Sequence, residues 1–184
     1  MENILSNDLK SKIKGLAIYQ IVGGIIGIGL TIWLVAQTVT ITGLVILIFI
    51  LAAGLYSFSI YCGKLLLNGK IESGLKLSII NQAMQILNFA VLGYAFKFVA
   101  GLILSFGVDY TNTFDLTFNF SLSEFQFNIN KDKELVTVGF NIVAIYLVYL
   151  IDKLQQEIEN RETLFKASQN IDTFTESSIT EEKL

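Results

Sequence analysis

Residues 16–36 and 44–63 contain no Asp, Glu, Lys or Arg. As α-helices rising about 1.5 Å per residue, each is long enough to cross a hydrocarbon core of about 30 Å. Composition points the same way: only 16% of the 184 residues are charged, against about 25% in an average soluble domain. The chain is therefore expected to be dissolved in lipid rather than in water. Lys10, Lys12 and Lys14 precede the first stretch, as they would in a secretory signal. That stretch, however, exceeds a signal core of about 7–15 residues, and no small-x-small cleavage site follows, which points to a retained anchor.

Two further apolar runs follow, 77–108, interrupted only by Lys97, and 135–151. The expected fold class is an all-α integral membrane protein with four transmembrane helices at about 16–36, 44–63, 77–108 and 135–151, forming one domain over 16–151. Lysine and arginine placement orients it. Lys10, Lys12 and Lys14 precede helix one, Lys64, Lys70 and Lys76 lie between helices two and three, and Lys153, Arg161, Lys166 and Lys183 follow helix four. The opposite side holds only Lys131 and Lys133, so both termini are expected in the cytoplasm, and the membrane is expected to be a bacterial inner (plasma) membrane. Tyr19, Tyr61 and Tyr149 fit the inner boundary and Trp33 the outer.

Between the third and fourth helices the period changes to two. Phe114, Leu116, Phe118, Phe120 and Leu122 alternate with polar residues, and Phe125, Phe127 and Ile129 alternate in the opposite phase. This predicts a small extracytoplasmic β-hairpin over 111–130, with its turn at Ser123–Glu124. A two-stranded hairpin is marginal alone, so its phenylalanines need cover from helix ends, headgroups or a partner. Before the first helix, Leu5, Leu9 and Ile13 recur every four residues beside lysines, which suggests an amphipathic interfacial helix within 1–15. After Ile151 helical spacing continues through Leu154 and Ile158. From Ser168 the Ser, Thr and Glu content reads as a disordered end to the cytoplasmic segment 152–184.

Several chemistries are excluded by counting. The chain has no histidine and one cysteine, Cys62. Ser-His-Asp and Cys-His catalysis, histidine-ligated zinc or haem, and Cys-x-x-Cys redox chemistry are absent. No cofactor motif and no basic patch of nucleic-acid type occurs. The outer-loop carboxylates Asp109, Asp115 and Glu124 show no paired spacing for general acid–base work. No enzyme activity is expected.

Gly23, Gly27 and Thr31 recur every four residues and form a smooth helix face, a candidate packing seam within or between subunits. In the third run Ser78, Asn81, Gln85 and Asn88 fall at spacings of three, four and three, one stripe on a 3.6-residue period, with Gln82 adjacent. Amides facing acyl chains are costly, so the stripe is expected to face other helices, through hydrogen bonds of roughly 0.6–2 kcal/mol, or to line a polar path. Lys97 lies either at an interface or at mid-membrane. The absence of Asp and Glu from the other runs favours the interface, and replacing Lys97 by leucine is then expected to leave folding nearly unchanged.

The reading that unites these features is a non-catalytic multi-pass membrane protein acting through helix and protein association, as an accessory or structural subunit. Its partners would be the lipid bilayer and a further copy of itself or a larger membrane complex, with no nucleic acid. The alternative is a small oligomeric channel or carrier whose polar path is lined by helix three and Lys97.

Overall fold

The computed structural model describes residues 5–129 and 134–181. Residues 1–4, 130–133 and 182–184 lie outside the described residues, and with them Lys131, Lys133 and Lys183, on which part of the orientation argument rests. Among the described residues four helices and four strands form: α1 (Asn7–Gln37), α2 (Gly43–Leu67), α3 (Ile71–Ala83), β1 (Leu87–Val91), β2 (Tyr94–Asp109), β3 (Asp115–Asn128), β4 (Thr137–Asn141) and α4 (Ile142–Glu181).

The all-α, four-span expectation is thus overturned. The run 77–108 is not one helix. It comprises the end of α3, all of β1 and nearly all of β2. The run 135–151 is β4 followed by the first turns of α4. Two helices, α1 and α2, are long and apolar enough to cross a membrane among the described residues. Only 28% of the most apolar stretch of α1 and 17% of that of α2 is buried inside the protein, whereas a core helix of a soluble domain is mostly buried.

Helix α1 begins where the Ser6 hydroxyl caps Leu9 N–H at 3.3 Å, with Asp8 in the first turn, favourable at the positive end of the helix dipole. The amphipathic segment near the N-terminus is therefore continuous with the apolar stretch rather than a separate interfacial helix. Its apolar face meets protein: Leu9, Ile13 and Leu16 pack with Leu75 of α3 and Ile151 and Leu154 of α4. Thr42 caps α2 through Val45 N–H at 3.3 Å. At the other end Gly69, with φ +76°, reverses the chain into α3 while Lys70 N–H bonds Leu65 O at 3.0 Å, the hydrogen bond of a Schellman ending. α4 starts at an Asn141 cap, whose side-chain oxygen accepts from Val143 N–H at 3.1 Å, and continues to Glu181, past the stretch from Ser168 where composition pointed to disorder.

The sheet is antiparallel, in the order β1-β4-β2-β3, and β1 also pairs with the start of β2, so the pairings close on themselves. β1 meets Tyr94, Ala95 and Phe96 through a two-residue turn, Leu92–Gly93, whose residues both have positive φ, the signature of a type I′ turn. β4 runs antiparallel to β1 and also to residues 105–109 of β2. Since β1 is itself antiparallel to the start of β2, the two ends of β2 must point in opposing directions. The fold-back lies at a bulge between Val99 and Leu102, where Gly101 takes φ +115° and Ser123 on β3 takes φ +36°. The phase reversal at Ser123–Glu124, expected to be a hairpin turn, is this bulge. β3 runs unbroken through it, pairs with β2, and the hairpin turn lies instead at 110–114.

Beyond the bulge the sheet is two-faced. Leu104, Phe106 and Val108 pair with Phe120, Phe118 and Leu116, while Ser105, Gly107 and Asp109 pair with Asn119, Thr117 and Asp115. Side chains alternate across a strand, so one face is apolar and the other polar or small.

Candidate functional site

The inside of this protein is unusually polar for so apolar a chain. Gln20, Ser59, Ser78, Asn81, Gln82, Gln85, Ser105, Ser123 and Asn141 are all buried. Most of them converge where α1, α2 and α3 meet the bulge of β2. Helical spacing on α3 places Ser78, Asn81 and Gln82 toward α1 and α2, and Gln85 follows in the turn after the helix.

Gln20 Nε2 donates to Ser78 Oγ at 2.9 Å, and Asn81 Nδ2 donates to Gln20 Oε1 at 3.3 Å and to Ser59 Oγ at 3.2 Å. Ser59 Oγ donates in turn to the backbone oxygen of Gln20 at 3.0 Å. Gln85 extends the chain: its Nε2 donates to Asn81 O at 3.1 Å, and its Oε1 accepts Ala100 N–H at 2.9 Å. The bulge supplies the next link, since Gly101 N–H donates to Ser123 Oγ at 3.0 Å and that hydroxyl donates to Gly23 O at 3.0 Å. Tyr19 Oη accepts Leu102 N–H at 3.1 Å. A bulge breaks the ladder and leaves peptide groups to be satisfied elsewhere. Here Gln85, Ser123 and Tyr19 satisfy three consecutive N–H groups.

Not every group is matched. Both polar atoms of the Gln82 amide and Asn81 Oδ1 are buried without a hydrogen-bond partner among the described residues. The network consists of amides and hydroxyls, so it offers neutral hydrogen bonds. Among the described residues no group of three or more His, Cys, Asp or Glu is placed to hold a metal ion.

Of the stripe read from the sequence, Ser78, Asn81 and Gln85 come together in this network. Asn88 does not, because α3 stops at Ala83; it sits on β1, half-buried beside Gly139 of β4, with Nδ2 unpartnered among the described residues. Lys97 lies on β2 and is not without a counter-ion. Its Nζ is 2.8 Å from Glu124 Oε2, with side-chain exposures of 14% and 35%. The glycine seam divides between two neighbours. A Cβ at Gly23 would meet the Ala100–Gly101 backbone at 2.6 Å, and one at Gly27 would overlap the Tyr56 ring. Thr31 Oγ1 donates to Gly27 O at 2.8 Å within α1.

Sequence reasoning missed Gln20, Ser59, Ser123 and Tyr19. Gln20 is the one amide inside the charge-free stretch 16–36, which was signal enough to pair it with the α3 amides. The phase reversal marks the position of Ser123, but its role depends on the bulge of the facing strand. Separately, a groove of about 500 Å³ between α3 and α4 is lined by Leu75, Ile79 and Ile158, by Glu159 and Glu162, and by Glu72, which is paired with Lys76 at 2.7 Å. No family model matches the chain, and comparison with curated proteins and with solved structures likewise finds no match.

Proposed function

We propose that this is a non-catalytic membrane protein that works by association, as an accessory or structural subunit. The observation that carries the reading is the mutual bonding of the buried polar groups: Gln20, Ser59, Ser78, Gln85 and the Asn81 Nδ2 are bonded to one another and to the bulge. Groups so engaged fix the sheet to the helices and leave little to offer a substrate. The α1–α2 hairpin is the membrane part, since residues 15–63 hold no Asp, Glu, Lys or Arg. Lys10, Lys12 and Lys14 precede it and Lys64 and Lys70 follow. The positive-inside rule then assigns both ends of the hairpin to the cytoplasmic side, in a bacterial inner membrane on our reading. The α3–α4 groove, lined by Leu75, Ile79 and Ile158 with Glu159 and Glu162 in excess of the Glu72–Lys76 pair, suits an amphipathic helix of a partner that carries basic residues toward α4.

Photocrosslinking from position 155 or 158 in native membranes, followed by affinity capture and mass spectrometry, tests this. A specific larger complex carrying the crosslink is expected. Crosslinks to lipid and random neighbours alone would remove the association reading. The second reading, a small oligomeric channel or carrier, draws on the unpartnered Gln82 amide and Asn81 Oδ1. Solute flux in liposomes that vanishes in Gln82→Leu, with the fold intact, would establish it instead.

A further inference from the structure

The apolar face of the sheet is too large and too aromatic to be left in water. Phe118 and Phe120 are 68% and 66% exposed, and Phe106 and Phe140, their neighbours across the strands, are exposed as well. A contiguous patch of this kind marks a contact. The sheet is tied to α1 within its charge-free stretch, by Leu102 N–H on Tyr19 Oη and Ser123 Oγ on Gly23 O. Tyr19 and Gly23 lie about 5–10 Å along the helix from Leu16. Leu102, where the apolar face begins, therefore sits beside the part of α1 that enters lipid. Ile18, Val22 and Ile25 of α1 are also exposed, so the apolar surfaces of helix and sheet share one depth.

We propose that the β2–β3–β4 face lies in the leaflet that α1 and α2 enter, forming an interfacial sheet. Its phenylalanines face acyl chains; on the opposite face Ser105 and Asn141 are buried within the protein, and Thr117, Asn119 and Ser121 of β3, exposed or half-buried, meet headgroups and water. That tilt also resolves a difficulty with β3, whose outer edge pairs with no strand among the described residues. An open edge is not tolerated in hydrocarbon, but at the interface water and headgroups reach it. The inference rests on the membrane reading above.

Lipid-borne quenching tests both, separately. In the full chain with Cys62→Ser, single cysteines at Phe118, Phe120, Thr117 and Ile32 are labelled with an environment-sensitive fluorophore. The protein is reconstituted into phosphatidylcholine–phosphatidylglycerol vesicles carrying a shallow doxyl-lipid quencher. Labels at positions 118 and 120 are expected to be quenched several-fold more than the label at 117, which lies on the polar face. Equal quenching at 117 and 118 overturns the sheet placement, and so does a disulfide between position-118 cysteines of two copies, which assigns the face to a second copy. The label at 32, on the exposed α1 surface, reports on the hairpin. If it is quenched and 118 is not, the sheet inference alone fails; if it is not quenched, the membrane reading fails with it.

Discussion

The Ser123 hydroxyl donates to the backbone oxygen of Gly23 at 3.0 Å while accepting the Gly101 N–H at 3.0 Å. One side chain thus joins β3, the bulge of β2 and the middle of α1, in a gap that Gly23 keeps open because any Cβ there would strike the Ala100–Gly101 backbone. Ser123→Ala leaves the buried Gly101 N–H without its acceptor. A buried donor left unsatisfied costs about 1–3 kcal/mol, several degrees in Tm for a chain of this size. Thermal unfolding in mild detergent measures it; an unchanged Tm would show the hydroxyl to be dispensable.

Gln85 and Gln82 are neighbours on the sequence with opposite expected behaviour. Gln85 Oε1 holds the Ala100 N–H, so Gln85→Leu strands a bulge donor and is expected to destabilise by about 1–3 kcal/mol. The Gln82 amide is buried with no partner among the described residues. Gln82→Leu removes a desolvated amide at little change in volume and is expected to be neutral or stabilising. Denaturation of the two variants side by side decides it. Should Gln82→Leu be as damaging as Gln85→Leu, that amide has an occupant, and the polar-path reading gains.

The helices α1 and α2 were legible because each contains an uncharged run of some 20 residues, long and apolar enough as a helix to cross a membrane. The run 77–108 was not, for a physical reason. A strand apolar on both sides reads as a continuous apolar segment, as a buried helix does, and periodicity cannot separate them. Local chemistry was the better guide: Leu92–Gly93 between aromatic and β-branched residues marks a tight turn, and Phe96, Phe98, Val99, Ile103 and Phe106 favour strand. Asn88 is the next rung of the stripe only on a helix that continues past Ala83, and α3 ends there. Asn141, directly before an apolar run, was an overlooked helix cap. The alternation in 114–129 and its phase shift were visible, but a bulge that faces two residues of β2 with one of β3 is a property of the pair.

Lys97 illustrates what pairing changes. With no counter-ion in view, leucine at this position was expected to be harmless. Beside Glu124, diagonal to it across β2 and β3 at 2.8 Å, Lys97→Leu instead leaves a partly buried carboxylate without its counter-ion, with Asn119 Nδ2 at 3.5 Å as its remaining donor. The single variants Lys97→Leu and Glu124→Gln are each expected to destabilise more than half as much as the double variant, with a coupling of about 0.5–3 kcal/mol. A double-mutant cycle in detergent provides the test. Additive effects would mean that the two charges are solvated independently and the ion pair contributes nothing.

Gly27 and Gly29 offer a controlled comparison on one helix. A Cβ at Gly27 would overlap the ring of Tyr56, which is fully buried and packs against Phe98 with ring centroids 5.4 Å apart. The ring has nowhere to retreat without moving β2. A Cβ at Gly29 meets nothing within 4 Å. Gly27→Ala is therefore expected to destabilise by roughly 1–3 kcal/mol through overpacking, and Gly29→Ala to be neutral or slightly stabilising through its helix propensity. Cys62 is fully buried, so its labelling by a maleimide in mild detergent reports unfolding of the same helix pair. Faster labelling in Gly27→Ala, and wild-type labelling in Gly29→Ala, is the expected pattern. Equal rates in both would show that α1 and α2 do not pack through this glycine, and the close approach of the helices at Tyr56 would have to be abandoned.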